Sequence, residues 1–396
     1  MTTQPVTLTH WPRIAAVLFA GVAIALHVGK VPPAIPALST ELDLDLVTSG
    51  WLLSLFAVIG ALSGSMVGHL VDRVGCRTAL LVGLACATAG SFLGSAADGG
   101  SLLLLSRALE SAGSVLAIVS APSLILRDCG GDDQRLAFGL WGCWLPVGTA
   151  VMMALSPLLL SGYGWRASWL TAGSLSLAAL IVARSVLCRD PPSAPRHLAG
   201  GLGQVLRLSQ SWLLTANFCC YSMSFMTVIG FLPTFLVKEH HIGANWVVAL
   251  AAGAMLANAG GNLLAGWLAR RGQPRWRLIF IACLSMAISP WGIFIDFLPM
   301  PLRYALCVYF ALAGGLLPAT ILAAVPAVVP RGQVGPLNGM LVQGISIGQL
   351  AGPPILAFLV QTLGSWSVAP IYLSATGAAG ACLALAFRRK ELRNGK

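Results

Sequence analysis

Long apolar stretches alternate with short polar ones along the whole chain. The runs cover 13–35, 47–69, 77–97, 101–126, 135–161, 166–187, 211–237, 245–269, 276–298, 301–327, 336–361 and 366–387. An α-helix rises about 1.5 Å per residue, so roughly 20 apolar residues cross about 30 Å of hydrocarbon. Every run is long enough, and the pattern predicts twelve transmembrane helices, six in each half. Backbone groups in lipid must bond within their own segment, and no run has the short alternation of barrel strands. The predicted class is therefore an all-α integral membrane protein.

Composition agrees, since 57% of residues are apolar and 9% charged, against about 25% charged in a soluble domain. Lys and Arg are retained on the cytoplasmic side of membranes. Placing both termini in the cytoplasm puts nineteen basic residues inside and leaves Arg166, Lys238 and Arg303 outside. That asymmetry accounts for the net charge of +11 without a nucleic-acid partner. The expected location is the plasma membrane, the bacterial inner membrane, in several passes and as a monomer. Residues 1–12 are polar and the first apolar run is long enough to remain as a span, so no cleavable signal is expected. Ten cysteines show no metal-ligand or redox spacing, and no cofactor is implied. Pro191, Pro192, Pro195, Gly200, Gly201 and Gly203 mark 188–210 as a central cytoplasmic loop between an amino-terminal bundle, 1–187, and a carboxy-terminal bundle, 211–387. A basic tail, 388–396, follows.

The loop between the second and third spans reads GHLVDRVGCR, Gly68–Arg77, and returns as GWLARRGQPR, Gly266–Arg275, offset by 198 in a chain of 396. Repeats of this kind mark secondary transporters. With twelve spans, two six-helix halves and this loop motif, the chain resembles the major facilitator superfamily over essentially its whole length. Gly68, Leu70, Asp72, Arg73, Gly75 and Arg77 occupy the positions of that family's loop motif, and Cys76 departs from it. The resemblance implies two pseudo-symmetric six-helix bundles and a cytoplasmic latch formed by Gly68, Asp72, Arg73, Gly75 and Arg77. The latch would close on the start of the eleventh span, Gly335 and Pro336, with Asp72 facing the positive end of that helix. A tight turn without a latch is the alternative. The second copy has Arg270 where an acid would sit, so its latch is expected to be weaker or absent.

RALESAG, Arg107–Gly113, resembles the family's Arg-x-x-Gln-Gly-x-Gly pattern of proton-coupled members, with Glu110 in the Gln place and Ser111 replacing a Gly. The Gly-Pro motif of drug exporters is echoed by Gly142, Pro146 and Gly148, with Leu145 where a Gly would precede the proline. The stretch HVGKVPPAIPAL resembles the branch that contains cyanate-transporter-like proteins.

Ionisable groups within spans cost about 2.5–3.5 kcal/mol on insertion scales and mark function or a paired partner. His27, Lys30, Arg107 and Glu110 are four. If the first span ends near Pro36, Lys30 and Arg107 share one depth, about 9 Å below the outer end, and His27 and Glu110 another, about 13 Å. The pairs are three apart, so each shares a helix face, and one polar cluster in the first half is expected. Glu110 with Arg107 is the candidate for proton coupling; Lys30, His27 and Arg107 are candidates for substrate binding. The alternatives are an intrahelical Arg107–Glu110 pair, a Lys30 that snorkels to the outer surface, and a neutral core histidine.

The second half offers uncharged polar groups: Asn217, Tyr221, Asn258, Asn262, Tyr304, Asn338, Gln343 and Gln349, with Asp296 near an outer end. Asn217, Tyr221, Tyr304, Asn338 and Gln343 are the substrate-binding candidates, and bonding between helices is the alternative role. The expected function is a secondary active transporter, not an enzyme, that moves a small anionic or zwitterionic solute by alternating access with protons. An antiporter exporting larger amphipathic solutes and a non-transporting membrane sensor are the alternatives. Glu239, His240 and His241 form no complete metal set.

Overall fold

The structure is a computed structural model that describes residues 8–44, 46–131, 133–190, 201–238, 244–295, 297–330 and 333–394. Glu239, His240, His241, Asp296, Arg331 and residues 191–200 of the central loop lie outside these. Helix occupies all twelve predicted runs: α1 Trp11–Glu41, α2 Leu46–Val74, α3 Cys76–Ser95, α4 Gly100–Asp128, α5 Gln134–Tyr163, α6 Trp165–Val186, α7 Ser209–Lys238, α8 Ala244–Arg270, α9 Arg275–Phe294, α10 Met300–Val328, α11 Val334–Leu363 and α12 Val368–Asn394. Eleven are long and apolar enough to cross a membrane on their described residues. The twelfth, α8, has 27 residues. Among the described residues there is no strand. A seven-residue helix, Gly201–Arg207, precedes α7 within the segment read as the central loop.

The halves are built alike. In the first, α1 packs on α4, α5 and α6, α2 on α4, and α3 on α4 and α6. Each pairing recurs six helices later, with α7 on α10, α11 and α12, α8 on α10, and α9 on α10 and α12. The halves meet along two seams, α2 against α11 and α5 against α8. Because successive helices alternate in direction, both described chain ends lie on one face, called here the terminal face.

Two helices are broken where proline removes a backbone donor. In α1, Pro32 and Pro33 cannot donate to the carbonyls of Val28 and Gly29, and the helix turns at Lys30 before resuming over Val31–Glu41. The span therefore extends beyond Pro36, and Glu41 at its end accepts from the Trp165 indole (2.8 Å) and pairs with Arg166. In α5, Pro146 cannot donate to Gly142, and the helix turns at Cys143.

Candidate functional site

The break in α1 brings His27 and Lys30 onto Arg107 and Glu110 of α4. Lys30 Nζ lies 2.5 Å from Glu110 Oε1, and Arg107 donates to Glu110 Oε2 at 3.0 Å. Arg107 also donates to the His27 carbonyl (2.7 Å), in the turn that the prolines open, and to the Leu52 carbonyl of α2 (3.0 Å). His27 Nδ1 is 3.5 Å from Glu110, and its Nε2 hydrogen-bonds with the Ser176 hydroxyl of α6 at 2.7 Å. Lys30 donates to Ser91 of α3 (2.8 Å), whose hydroxyl donates to the Trp169 carbonyl, and its ammonium stands 4.5 Å from the Trp169 ring. Small residues make this room: a Cβ on Gly90 would press on Glu110, and one on Gly113 would overlap the Gly83 carbonyl.

The four residues form one cluster, with Lys30, His27 and Glu110 at 0% exposure and Arg107 at 2%. The partners differ from those inferred by depth. Since α1 runs to Glu41, Lys30 lies about 16 Å from its end at 1.5 Å per residue, level with Glu110 and not Arg107. Lys30 does not snorkel. With the histidine neutral, two cations share one carboxylate, a net charge of +1 away from water.

A second feature is the central cavity, with about 950 Å³ of empty space, its open mouth included. Its wall is aromatic and aliphatic: Phe56 of α2, Val115, Ile118 and Pro122 of α4, Trp141 and Trp144 of α5, Phe218, Tyr221 and Phe225 of α7, Met255 of α8 and Leu341 of α11. Trp141 and Trp144 stack at 5.7 Å, and Gly21 of α1 leaves the space they fill. Among the described residues that line it none is charged; the polar ones are Tyr221, Ser222, Asn258, Asn338, Ser346 and Gln349. Asn258 donates to the Tyr221 hydroxyl (3.2 Å) and to the Ala311 carbonyl (3.0 Å). Asn338 and Ser222 have no hydrogen-bond partner on their side chains.

At the terminal face the cavity is closed by the first seam. Gly60, Gly64 and Gly68 present one side of α2 to α11, where added Cβ atoms would meet Ser346, the Gly339 carbonyl and the Gly335 carbonyl. Such small-residue stripes let helices approach closely in membranes. The Asp72 carboxylate lies against Gly335 in the first turn of α11, where the helix end carries partial positive charge. Gly75 turns the chain with φ 93°, a conformation that strains any side chain. Arg73 is exposed. Arg77 does not cross the seam: it donates to the carbonyls of Leu187 (3.0 Å) and Arg184 (2.9 Å) at the end of α6. Asp190, in the segment just beyond, accepts from the backbone of Arg77 (3.1 Å) and Thr78 (3.0 Å) and pairs with Arg127 (3.1 Å), capping α3 from a distant part of the chain.

The second motif copy lies in the other seam, where the expectation is of a weaker or absent latch. Gly266 and Gly139 meet backbone to backbone, Arg135 donates to the Ala269 carbonyl (2.7 Å), and Arg270 lies 3.7 Å from Asp133 at the start of α5. The acid is supplied by the facing helix, which the motif itself could not reveal.

A profile described as the Major Facilitator Superfamily matches residues 16–311. The chain belongs to the major facilitator superfamily. It is 27% identical over 360 residues, 84% of this chain and 73% of the other, to the Homo sapiens protein named monocarboxylate transporter 11. It is 26% identical over 361 residues, 86% of each, to the nitrite extrusion protein of Bacillus subtilis. Among solved structures it is similar in fold to the proton:xylose symporter XylE, with TM-score 0.79, 14% identity and coverage of 96% of this chain and 95% of the other.

This major facilitator superfamily chain is thus a membrane transporter and not an enzyme. Of the polar residues singled out from sequence, Tyr221, Asn258, Asn338 and Gln349 line the cavity. His27, Lys30, Arg107 and Glu110 gather outside its wall. Asn217 donates to the Gly380 carbonyl (2.8 Å) between α7 and α12, Tyr304 to the Leu250 carbonyl (3.0 Å), and Gln343 across the first seam to the Ala61 carbonyl (2.7 Å). These three join helices. Arg303, counted on the outer side from sequence, is 3% exposed in α10 and donates to the Ile293 carbonyl (2.8 Å), so the second half also holds a buried cation. The aromatic wall was not anticipated; two tryptophans three apart in one span, beside Pro146, were the available signal.

Proposed function

We propose that this transporter is a secondary active carrier of a small organic acid, working by alternating access and coupled to protons through Glu110. The solute binds in the central cavity, and the two seams seal that cavity on the terminal face, read as cytoplasmic. The observation that carries the reading is the Lys30–Glu110–Arg107 cluster. It is sealed from water and sits on α4 less than two turns from Val115, which lines the cavity. A proton on Glu110 would free Lys30 and Arg107 from their shared counter-charge and leave +2 in a site of low dielectric. That charge would repel a cationic solute and tolerate an acidic one.

The names of two relatives, monocarboxylate transporter 11 and nitrite extrusion protein, support small acids, or their conjugate anions, as the cargo. The uncharged aromatic wall supports an apolar body on the solute and is the observation in favour of the amphipathic-solute reading.

A thermal-shift screen of monocarboxylic acids on the purified protein identifies the solute. In proteoliposomes, Glu110→Gln is expected to abolish accumulation of that solute against a proton gradient while exchange across the membrane continues. Continued exchange also shows that the variant is folded. Undiminished gradient-driven accumulation would place proton coupling elsewhere.

A further inference from the structure

Asn338 is 1% exposed, lines the central cavity, and has neither its amide nitrogen nor its carbonyl oxygen hydrogen-bonded to the protein. Burying such a group without a partner costs about 1–3 kcal/mol per unmade bond, and few native side chains leave both atoms in that state. The other asparagine of the wall is engaged: Asn258 donates to the Tyr221 hydroxyl and the Ala311 carbonyl. Ser222 of α7, also in the wall, is likewise unpartnered.

From this we infer that the Asn338 carboxamide is the head-group site of the cavity, and that it recognises a group carrying a donor and an acceptor on one carbon. An undissociated carboxylic acid and a primary carboxamide have that shape. Either closes two parallel hydrogen bonds with the asparagine, one from Nδ2 to the ligand carbonyl and one from the ligand O–H or N–H to Oδ1. A carboxylate anion cannot, because it offers acceptors only, and the described wall holds no cation to meet it. The organic acid is therefore bound as the neutral acid, with its proton on the ligand. The aromatic rings of Trp141, Trp144, Tyr221 and Phe225 receive its apolar body.

The position ties recognition to closure. Asn338 lies one turn inward of Gly335 and Pro336, which form the seam with Gly68 and Asp72. A ligand held by this amide rests on the helix end that must move for the terminal face to open.

The inference rests on the cavity being the solute site but not on Glu110. Its probes are 3-phenylpropanoic acid, 3-phenylpropanamide and propylbenzene, titrated calorimetrically into the wild-type transporter and into Asn338→Leu. In the wild type, the acid is expected to lose about tenfold in apparent affinity per pH unit above its own pKa, as its neutral form is depleted, while the amide holds constant. Asn338→Leu should weaken the amide, and the acid at low pH, by about tenfold or more and leave propylbenzene unchanged. Leucine has the shape of asparagine, and no protein partner is lost, so unliganded thermal stability should not fall.

An acid that binds equally well or better as pH rises overturns the inference, as does an equal loss for all three probes in Asn338→Leu. Failure of both head groups to bind the wild type also overturns it. The pH comparison needs no variant, so poor folding of Asn338→Leu does not blunt the test. Proton coupling is read separately by Glu110→Gln and stands or falls on that result.

Discussion

Replacing Gly335 with alanine should open the terminal face. Gly335 is the second residue of α11, and a Cβ there would overlap Asp72 Oδ1 and come within 2.6 Å of the Gly68 carbonyl oxygen and 2.9 Å of Asp72 Cγ. The Asp72 side chain can swing aside; the Gly68 carbonyl belongs to the backbone of α2 and cannot. The two helices must part, and forced overpacking of this kind costs about 1–3 kcal/mol. That cost exists only where the seam is closed. The helical gain of alanine over glycine, about 1 kcal/mol, applies to open and closed forms alike and cancels. The open population should rise by a factor of about 5–150. Spin labels on Arg73→Cys and Arg277→Cys, in a background without the ten native cysteines, would report the distance between halves on this face. Gly260→Ala is the matched control, because nothing lies within 4 Å of a Cβ at that position of α8. An unchanged distance distribution in Gly335→Ala, or the same change in Gly260→Ala, would refute the reasoning.

Three further outcomes are expected. Glu110→Gln, which strands two buried cations, should cost about 3–5 kcal/mol, whereas Lys30→Met leaves Arg107 balanced by Glu110 and costs about 1–3 kcal/mol; thermal-shift midpoints in the opposite order would contradict the charge count. Asp72→Asn should open the terminal face more than Arg270→Gln, since the Arg270–Asp133 pair is 46% and 32% exposed and such pairs contribute about 0–1 kcal/mol and fade in salt. Equal shifts in the spin-label distances at high salt would count against this asymmetry. Asp190→Ala removes the carboxylate that caps α3 and should lower stability by about 1–2 kcal/mol, measured by thermal shift, without altering the labelled distance across the seams.

Hydrophobic patterning alone determined the class, the twelve helices and the repeat of six, because a span in lipid must be a long apolar helix whatever its neighbours are. It also picked out His27, Lys30, Arg107 and Glu110, since an ionisable group in such a helix stands out by its cost. Which of the four touch was decided by tertiary structure. The double proline after Val31 carries α1 on to Glu41 and moves Lys30 level with Glu110, a shift invisible to a count of apolar residues. Polar uncharged side chains were less legible still. Asn217, Tyr304, Gln343 and Asn338 are all uncharged polar residues within spans, yet three are bonded to carbonyls of neighbouring helices and one stands unpartnered in the cavity wall, because the role of such a side chain depends on which backbone faces it. The same holds at the seams: the sequence shows Arg270 in the place of an acid but not Asp133 opposite it, and a contact between residues more than a hundred positions apart exists only once the halves have packed.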